Sequence, residues 1–307
     1  MSSCNGTCEF CDCKTHKNEN QQLTTINHQL SIVNYQLKSM ARVKGLLQVT
    51  GSMKGVSMYT MRGSDEVIIR TKGGPSKQTI KTSESCKTLR ENGREWSGCT
   101  KAASSLRRGL EVITRLADYN TMGGMNALCK KIQALDTLHP KGQRNVYMRA
   151  YRQQIAGFNF NRTNPFDRVI RLNPAWEIDR ATASGTLTMP EFIPDEHLAA
   201  PNKLPLMRFV IVLGVCTDVV YDEHIQDYKP ANDLVQGYHR EACSDWFPVK
   251  RSMPEQTINV QMTNIAQYLT DSDTLVLAVG VEFGTVGADG NGEAVKWTGS
   301  AKIIGAL

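Results

Sequence analysis

The chain has 307 residues, 40% of them hydrophobic and 21% charged, with a formal net charge of +6. That is the profile of a folded protein with enough chain for two domains at ~100–200 residues each. No apolar run approaches the ~20 residues of a membrane-spanning helix, and polar, Cys-bearing sequence follows Met1, so no membrane contact is expected and a cytoplasmic location is.

Charge is unevenly spread. Residues 1–40 balance at zero, residues 41–160 carry 21 Lys/Arg against 8 Asp/Glu, and residues 161–307 carry 12 against 19. A basic middle and an acidic end suggest modules with different partners, or two halves that attract each other. Nucleic acid is the usual partner of a basic module, because many phosphates are neutralised at once.

Residues 1–39 read as a low-order extension. Cys4, Cys8, Cys11 and Cys13 crowd its start. Cys4-x3-Cys8-x2-Cys11, with Phe10 inside it, resembles the cluster motif of radical S-adenosylmethionine enzymes, in which three thiolates hold a four-iron cluster. That family's motif sits in a β/α barrel, and no βαβ series follows here. Zinc suits four soft thiolates better, although Cys11-x-Cys13 is awkward for one tetrahedral site. The expectation adopted is no metal and no cofactor, with zinc at these four cysteines as the alternative. A heptad repeat follows, with Leu23, Ile26, Leu30, Val33, Leu37 and Met40 spaced as a short coiled-coil seam. Met40 also reads as a natural start, which would place residues 1–39 upstream of the true chain.

Residues 40–160 read as a basic module. Segments 46–49, 56–59 and 67–70 are strand candidates, with Gly51-Ser52 and Gly63-Ser64-Asp65 as turns. The meander ends in Lys72-Gly73-Gly74-Pro75, with Lys77 beyond, but lacks the order of a P-loop. A long helix is expected from Ser83 to Ala117. Its apolar stripe is Trp96, Cys99, Ala103, Leu106, Leu110, Ile113 and Ala117. Gly98, Ala102, Ser105 and Gly109 form a small-residue edge where another backbone could come close. Lys87, Arg94, Lys101, Arg108 and Arg115 recur every seven residues, a spacing that drifts only ~20° on a helix. These five, with Arg107, Lys72 and Lys77, are the candidate nucleic-acid contacts, made to phosphate and without base readout. The alternative is a solvated helix face. Shorter helices are expected over 126–135 and 144–155.

Residues 161–307 read as all-β, with strands near 175–178, 185–189, 206–220, 256–262, 275–283 and 294–304. Asp289-Gly290-Asn291-Gly292 reads as a hairpin turn. The expected fold class is therefore α+β: a small basic β-meander with helices, then an acidic immunoglobulin-like sandwich. Trp176, Trp246 and Trp297 read as core or rim aromatics. Asp195-Glu196-His197 and Asp222-Glu223-His224 offer carboxylate and imidazole for a metal, but read as polar loops. No nucleophile elbow, zinc-protease or dinucleotide motif is present, so no catalytic residue is expected.

Gly51–Tyr59 followed by Val67–Gly74 resembles the opening of uncharacterised Bacteroidetes proteins, in which a short basic β-region precedes helices and a β-rich domain. The resemblance covers residues 40–307 and implies no activity, cofactor or site residue. The expected function is a non-enzymatic binding or assembly protein. In it the basic module meets a polyanion or acidic partner, and the sandwich meets a protein. The alternatives are a structural protein of a phage or mobile element, self-associating through basic–acidic contacts, and a metal-dependent enzyme.

Overall fold

The computed structural model describes residues 40–43, 50–53, 55–61, 66–71, 74–201, 203–288 and 290–307. The chain is a mixed α+β protein that divides into two compact units between Thr79 and Ile80. The boundary expected at 160/161 falls inside the second unit. The physical reason is a shared core: Cys99, Leu106 and Ile113 pack in one cluster with Val210, Val276 and Ile303. Cys4, Cys8, Cys11 and Cys13 and the heptad repeat lie outside the described residues.

The first unit is a four-stranded antiparallel sheet in the order β1-β4-β3-β2. Its strands are β1 (Met40–Val43), β2 (Gly51–Met53), β3 (Val56–Thr60) and β4 (Val67–Thr71). β2, β3 and β4 form the expected meander, and β1 joins at the far side of β4, with Met40 opposite Arg70. Val67 and Ile68 are buried, and Arg70 lies over the Tyr59 ring.

α1 (Lys77–Thr82) spans the division. The long helix α2 (Lys87–Gly109) runs unbroken through Gly93 and Gly98 and stops at Gly109, where Leu110 turns to φ −124°. A short helix α3 (Glu111–Thr114) follows, so Arg115 falls beyond the helix expected to carry it. Of the predicted stripe, Cys99, Ala103, Leu106, Leu110, Ile113 and Ala117 are buried. Trp96 is 50% exposed, because its neighbour Glu95 takes the inward position. α4 (Met122–Ala134) starts four residues before the helix expected at 126–135 and ends one residue short of it. No helix forms over 144–155 beyond a single 3-10 turn, Arg152–Gln154. Val146 pairs instead with Val219 across an isolated bridge, which takes both the amide and the carbonyl of Val146.

After α5 (Phe166–Val169) come β5 (Ala175–Asp179), β6 (Ser184–Met189), α6 (Pro194–His197) and β7 (Leu206–Thr217). Next are β8 (Val219–Asp222), β9 (Asp227–Pro230), β10 (His239–Cys243), β11 (Phe247–Pro248) and β12 (Gln256–Gln261). The chain closes with β13 (Asp273–Val286), β14 (Gly292–Ala294) and β15 (Ser300–Ala306). β10-β7-β13-β14 form the central sheet, with β11 on β7 and β15 on β13. β12-β6-β5 make a smaller sheet, and β8-β9 a hairpin.

Alternation along β7 and β13 explains the layering. Phe209, Ile211, Leu213, Leu275, Leu277 and Val279 face the small sheet, where they meet Leu187, Ile258 and Val260. Val210, Val212, Cys216, Val276 and Ala278 face the helices. Both faces are thus buried, which is why β7 is apolar almost without interruption. The expected immunoglobulin-like sandwich has only two sheets; here a helical layer covers the outer face of the larger one.

The small-residue edge of α2 lets that layer come close. A Cβ on Gly98 would lie 2.8 Å from the Tyr228 ring, and one on Gly214 of β7 would lie 1.9 Å from the Gly109 carbonyl oxygen. Only glycine permits this approach of helix to sheet.

Candidate functional site

The predicted basic stripe does not form one free surface. Lys101 Nζ donates to Asp227 Oδ2 at 2.7 Å and to the Tyr228 carbonyl at 2.6 Å. The hydrogen bond from Lys101 holds the Asp227 carboxyl below its ordinary range. Arg94 Nη1 donates to Tyr221 Oη at 3.4 Å, and Lys87 stands 3.8 Å from Glu84. Arg107 and Arg108 have no ion pair among the described residues, and Arg108 packs its stem against Gly237. Lys77 is exposed on α1, and Lys72 lies outside the described residues. Where α2 crosses the β8-β9 hairpin, basic and acidic side chains of the two expected modules meet within one chain.

Arg115 has a different setting. After α3 the chain leaves the central sheet, and Leu116 covers Gly280 as it departs. Beyond that point the apolar residues on the helix-side face of the sheet give way to a charged pair. There Arg208 of β7 sits directly opposite Glu282 of β13. Such a cross-strand pair places opposite charges side by side. Arg208 donates to Glu282 Oε2 at 2.7 Å from both Nε and Nη2. Arg115 donates to Oε1, at 2.9 Å from Nε and 2.7 Å from Nη2. Glu282 is buried, whereas the Arg115 side chain is 48% exposed.

Second contacts hold this triad. The Arg208 guanidinium lies 4.6 Å over the Trp246 ring, a cation–π arrangement. Trp246 rests on Gly284 and Gly292, where an added Cβ would come within 2.7 and 2.3 Å of the ring. Glu241 Oε2 is 3.8 Å from Arg115 Nη2. The loop between β14 and β15 forms the opposite wall. It is fixed by Val295 N donating to the Phe283 carbonyl at 3.0 Å and by Thr298 Oγ1 donating to the Val295 carbonyl at 2.6 Å. At its tip Trp297 has φ +64° and is 73% exposed. Arg115, Arg208, Glu282, Val295 and Trp297, with Leu116, Ala294 and Lys296, line a cleft of about 420 Å³. Lys296 has no ion pair among the described residues.

Two further buried clusters hold the frame. Glu95 of α2 takes both Arg144 Nε and Nη2 at 2.7 Å, Lys130 Nζ at 2.6 Å and the Gly142 amide at 2.9 Å. Burial pushes this carboxyl up, but Arg144, the Gly142 amide and Lys130 outweigh it and hold the pKa at about 2. Asp218, between β7 and β8, accepts from the Arg149 amide at 2.9 Å. Burial raises its pKa to about 6; hydrogen bonds from the Arg149 and Met148 amides oppose the rise, and nearby Asp273 adds to it.

The first Asp-Glu-His tripeptide lies in α6, and the second turns the chain from β8 toward β9. His197 Nδ1 accepts from the Ile193 amide at 3.0 Å, and Asp222 Oδ1 accepts from the His224 amide at 2.8 Å. Among the described residues no group of three or more His, Cys, Asp or Glu is disposed to hold a metal. No described helix is long and apolar enough to cross a membrane.

Of the expected site residues, only Arg115 enters the cleft. Arg208 and Glu282 carry no motif that marks them in the sequence, and they interrupt otherwise apolar strands. A charged residue in each of two such runs was the signal that could have paired them. No family model, curated protein or solved structure matches the chain.

Proposed function

We propose that this is a non-enzymatic binding protein, and that it engages its partner through an anionic group seated in the arginine cleft. One observation carries the reading. Arg115 and Arg208 share the single buried carboxylate of Glu282, so neither guanidinium has a carboxylate of its own at hydrogen-bond distance. Lys296 adds a third cation to the same cleft. Lys101 differs, since it is matched to its own Asp227. A guanidinium with unused N–H donors at a cleft wall favours an anion with planar or tetrahedral oxygens.

The nucleic-acid reading of the stripe rests on fewer residues than expected, chiefly Arg107, Arg108 and Lys77. Assembly through basic–acidic contacts between copies loses force, because such contacts close within one chain. The immunoglobulin-like reading extends only to the facing of the two sheets, on the side of the central sheet away from the cleft.

Formate, a compact monoanion, tests the proposal by titration into the full chain at low ionic strength, followed by tryptophan fluorescence. The expected result is saturable binding that weakens about tenfold in Arg115→Gln. The proposal fails if formate does not bind saturably, or if Arg115→Gln binds it as well as the wild type does.

A further inference from the structure

We infer that the cleft takes a monoanionic carboxylate attached to an aromatic body. The inference rests on the reading of the cleft as an anion site and adds the class of ligand. Charge is the first argument. Arg115, Arg208 and Lys296 face Glu282 and, more distantly, Glu241, which leaves one positive charge in excess. A carboxylate supplies one negative charge. A phosphate monoester supplies ~1.5–2 at neutral pH and would overfill the site.

The second argument is the wall. Trp297 is the most exposed tryptophan among the described residues, and it is held in the left-handed region, which a bulky side chain rarely adopts. The Thr298 hydroxyl and the Val295 amide pin the loop that presents it. Holding a large ring out of the core on a strained backbone is unfavourable for folding alone. It becomes useful when a second ring stacks on it. Val295 and Leu116 continue the apolar surface inward toward the two guanidiniums. Head and body of the ligand are thus recognised by separate parts of one cleft.

An aromatic ring joined to a carboxylate can come from a free small acid or from the C-terminal aromatic residue of a peptide. The test compares acetate, 3-phenylpropanoate, the tetrapeptide Gly-Gly-Gly-Phe and its C-terminal amide, each titrated into the full chain. The phenyl acid is expected to bind at least about tenfold tighter than acetate, the scale set by burying one ring face. The peptide amide, lacking the carboxylate, is expected to lose most of the peptide's affinity. Whichever of acid and peptide binds tighter identifies the source, and either supports the assignment.

Variants separate the two halves of the site. Trp297→Ala should bring 3-phenylpropanoate down to the level of acetate, and Trp297→Phe should restore part of the preference. Arg115→Gln should weaken both acids by the same factor. Equal binding of acetate and 3-phenylpropanoate by the wild type would overturn the ligand class while leaving the anion site standing. A preference that persists in Trp297→Ala would overturn it as well. Absence of binding by every anion tested would instead bring down the underlying reading of the cleft.

Discussion

The contact between Gly109 and Gly214 allows a sharp test of how the helical layer is seated. In Gly214→Ala the new methyl would sit 1.9 Å from the Gly109 carbonyl oxygen, where ordinary contact begins near 3.4 Å. Both partners are backbone, so no rotamer relieves the clash. The end of α2 must lift from β7 by about 1.5 Å, and Leu106 and Leu110 lift with it. A radial gap of 0.5–1 Å already forfeits a quarter to a half of a dispersion contact. Added to the ~1–3 kcal/mol typical of overpacking, the loss should reach about 3 kcal/mol or more. At ~2–4 °C per kcal/mol for a unit of this size, the melting temperature should drop by about 6–12 °C. Gly93→Ala is the control of opposite sign. It lies in the same helix, and nothing stands within 4 Å of the added Cβ. There the helix propensity of alanine should add about 1 kcal/mol. Urea denaturation reads both variants on one scale, with unchanged slope as the check on two-state behaviour. A Gly214→Ala variant within 0.5 kcal/mol of the wild type would refute the close helix–sheet seating.

Two further outcomes concern buried carboxylates. Glu95→Gln should cost about 3–5 kcal/mol, because it leaves Arg144 and Lys130 without their shared anion. The Glu95 carboxyl is depressed from 4.5 to about 2 in the fold, so its contribution is present above pH 4.5 and is lost as pH falls through 2. Urea midpoints across that window should fall in the wild type more steeply than in Glu95→Gln. Asp218 has the reverse sign. With a pKa raised from 3.8 to about 6, its ionisation opposes folding progressively as pH rises from 3.8 to 6, and fully above that. Asp218→Asn retains an acceptor for the Arg149 amide, so it should be the more stable protein at pH 8, by at most about 3 kcal/mol. The advantage should shrink toward pH 4, and a variant less stable at pH 8 would refute the assignment.

Much of the local structure was legible in the sequence. The alternation from Leu275 to Phe283 places β13, and the spacing of Cys99, Ala103, Leu106 and Leu110 places the buried face of α2. The small-residue edge read at Gly98 and Gly109 is where ring and backbone approach the helix. The layering was harder to see. Val276, Ala278 and Gly280 look like the filler of an alternating strand, yet they form the floor beneath the helices. An unbroken apolar run such as 209–217 has no period that says which neighbour covers each side. The site was legible least of all. Regular spacing singled out Lys87, Arg94, Lys101, Arg108 and Arg115 as a set, but spacing carries no information about partners. Asp227 and Glu282, which take Lys101 and Arg115, lie more than a hundred residues away in the chain.

The double burial of the central sheet also bears on how the chain acquires its structure. β7 and β13 form the longest pairing among the described residues, with Leu206 opposite Gly284 and Thr217 opposite Asp273. Fifty-five residues separate the end of one from the start of the other. α2 is made long before β7 and β9, the strands it lands on, and β7 in turn is made before β13, its longest partner. During synthesis at ~5–20 residues per second, the helix and β7 therefore wait several seconds with apolar faces uncovered. High separation between paired strands also slows folding once the chain is released. The interval before β13 emerges is when the chain most needs protection from aggregation. Slowed translation between β7 and β13 should lower the yield of native protein more than slowing anywhere upstream of α2.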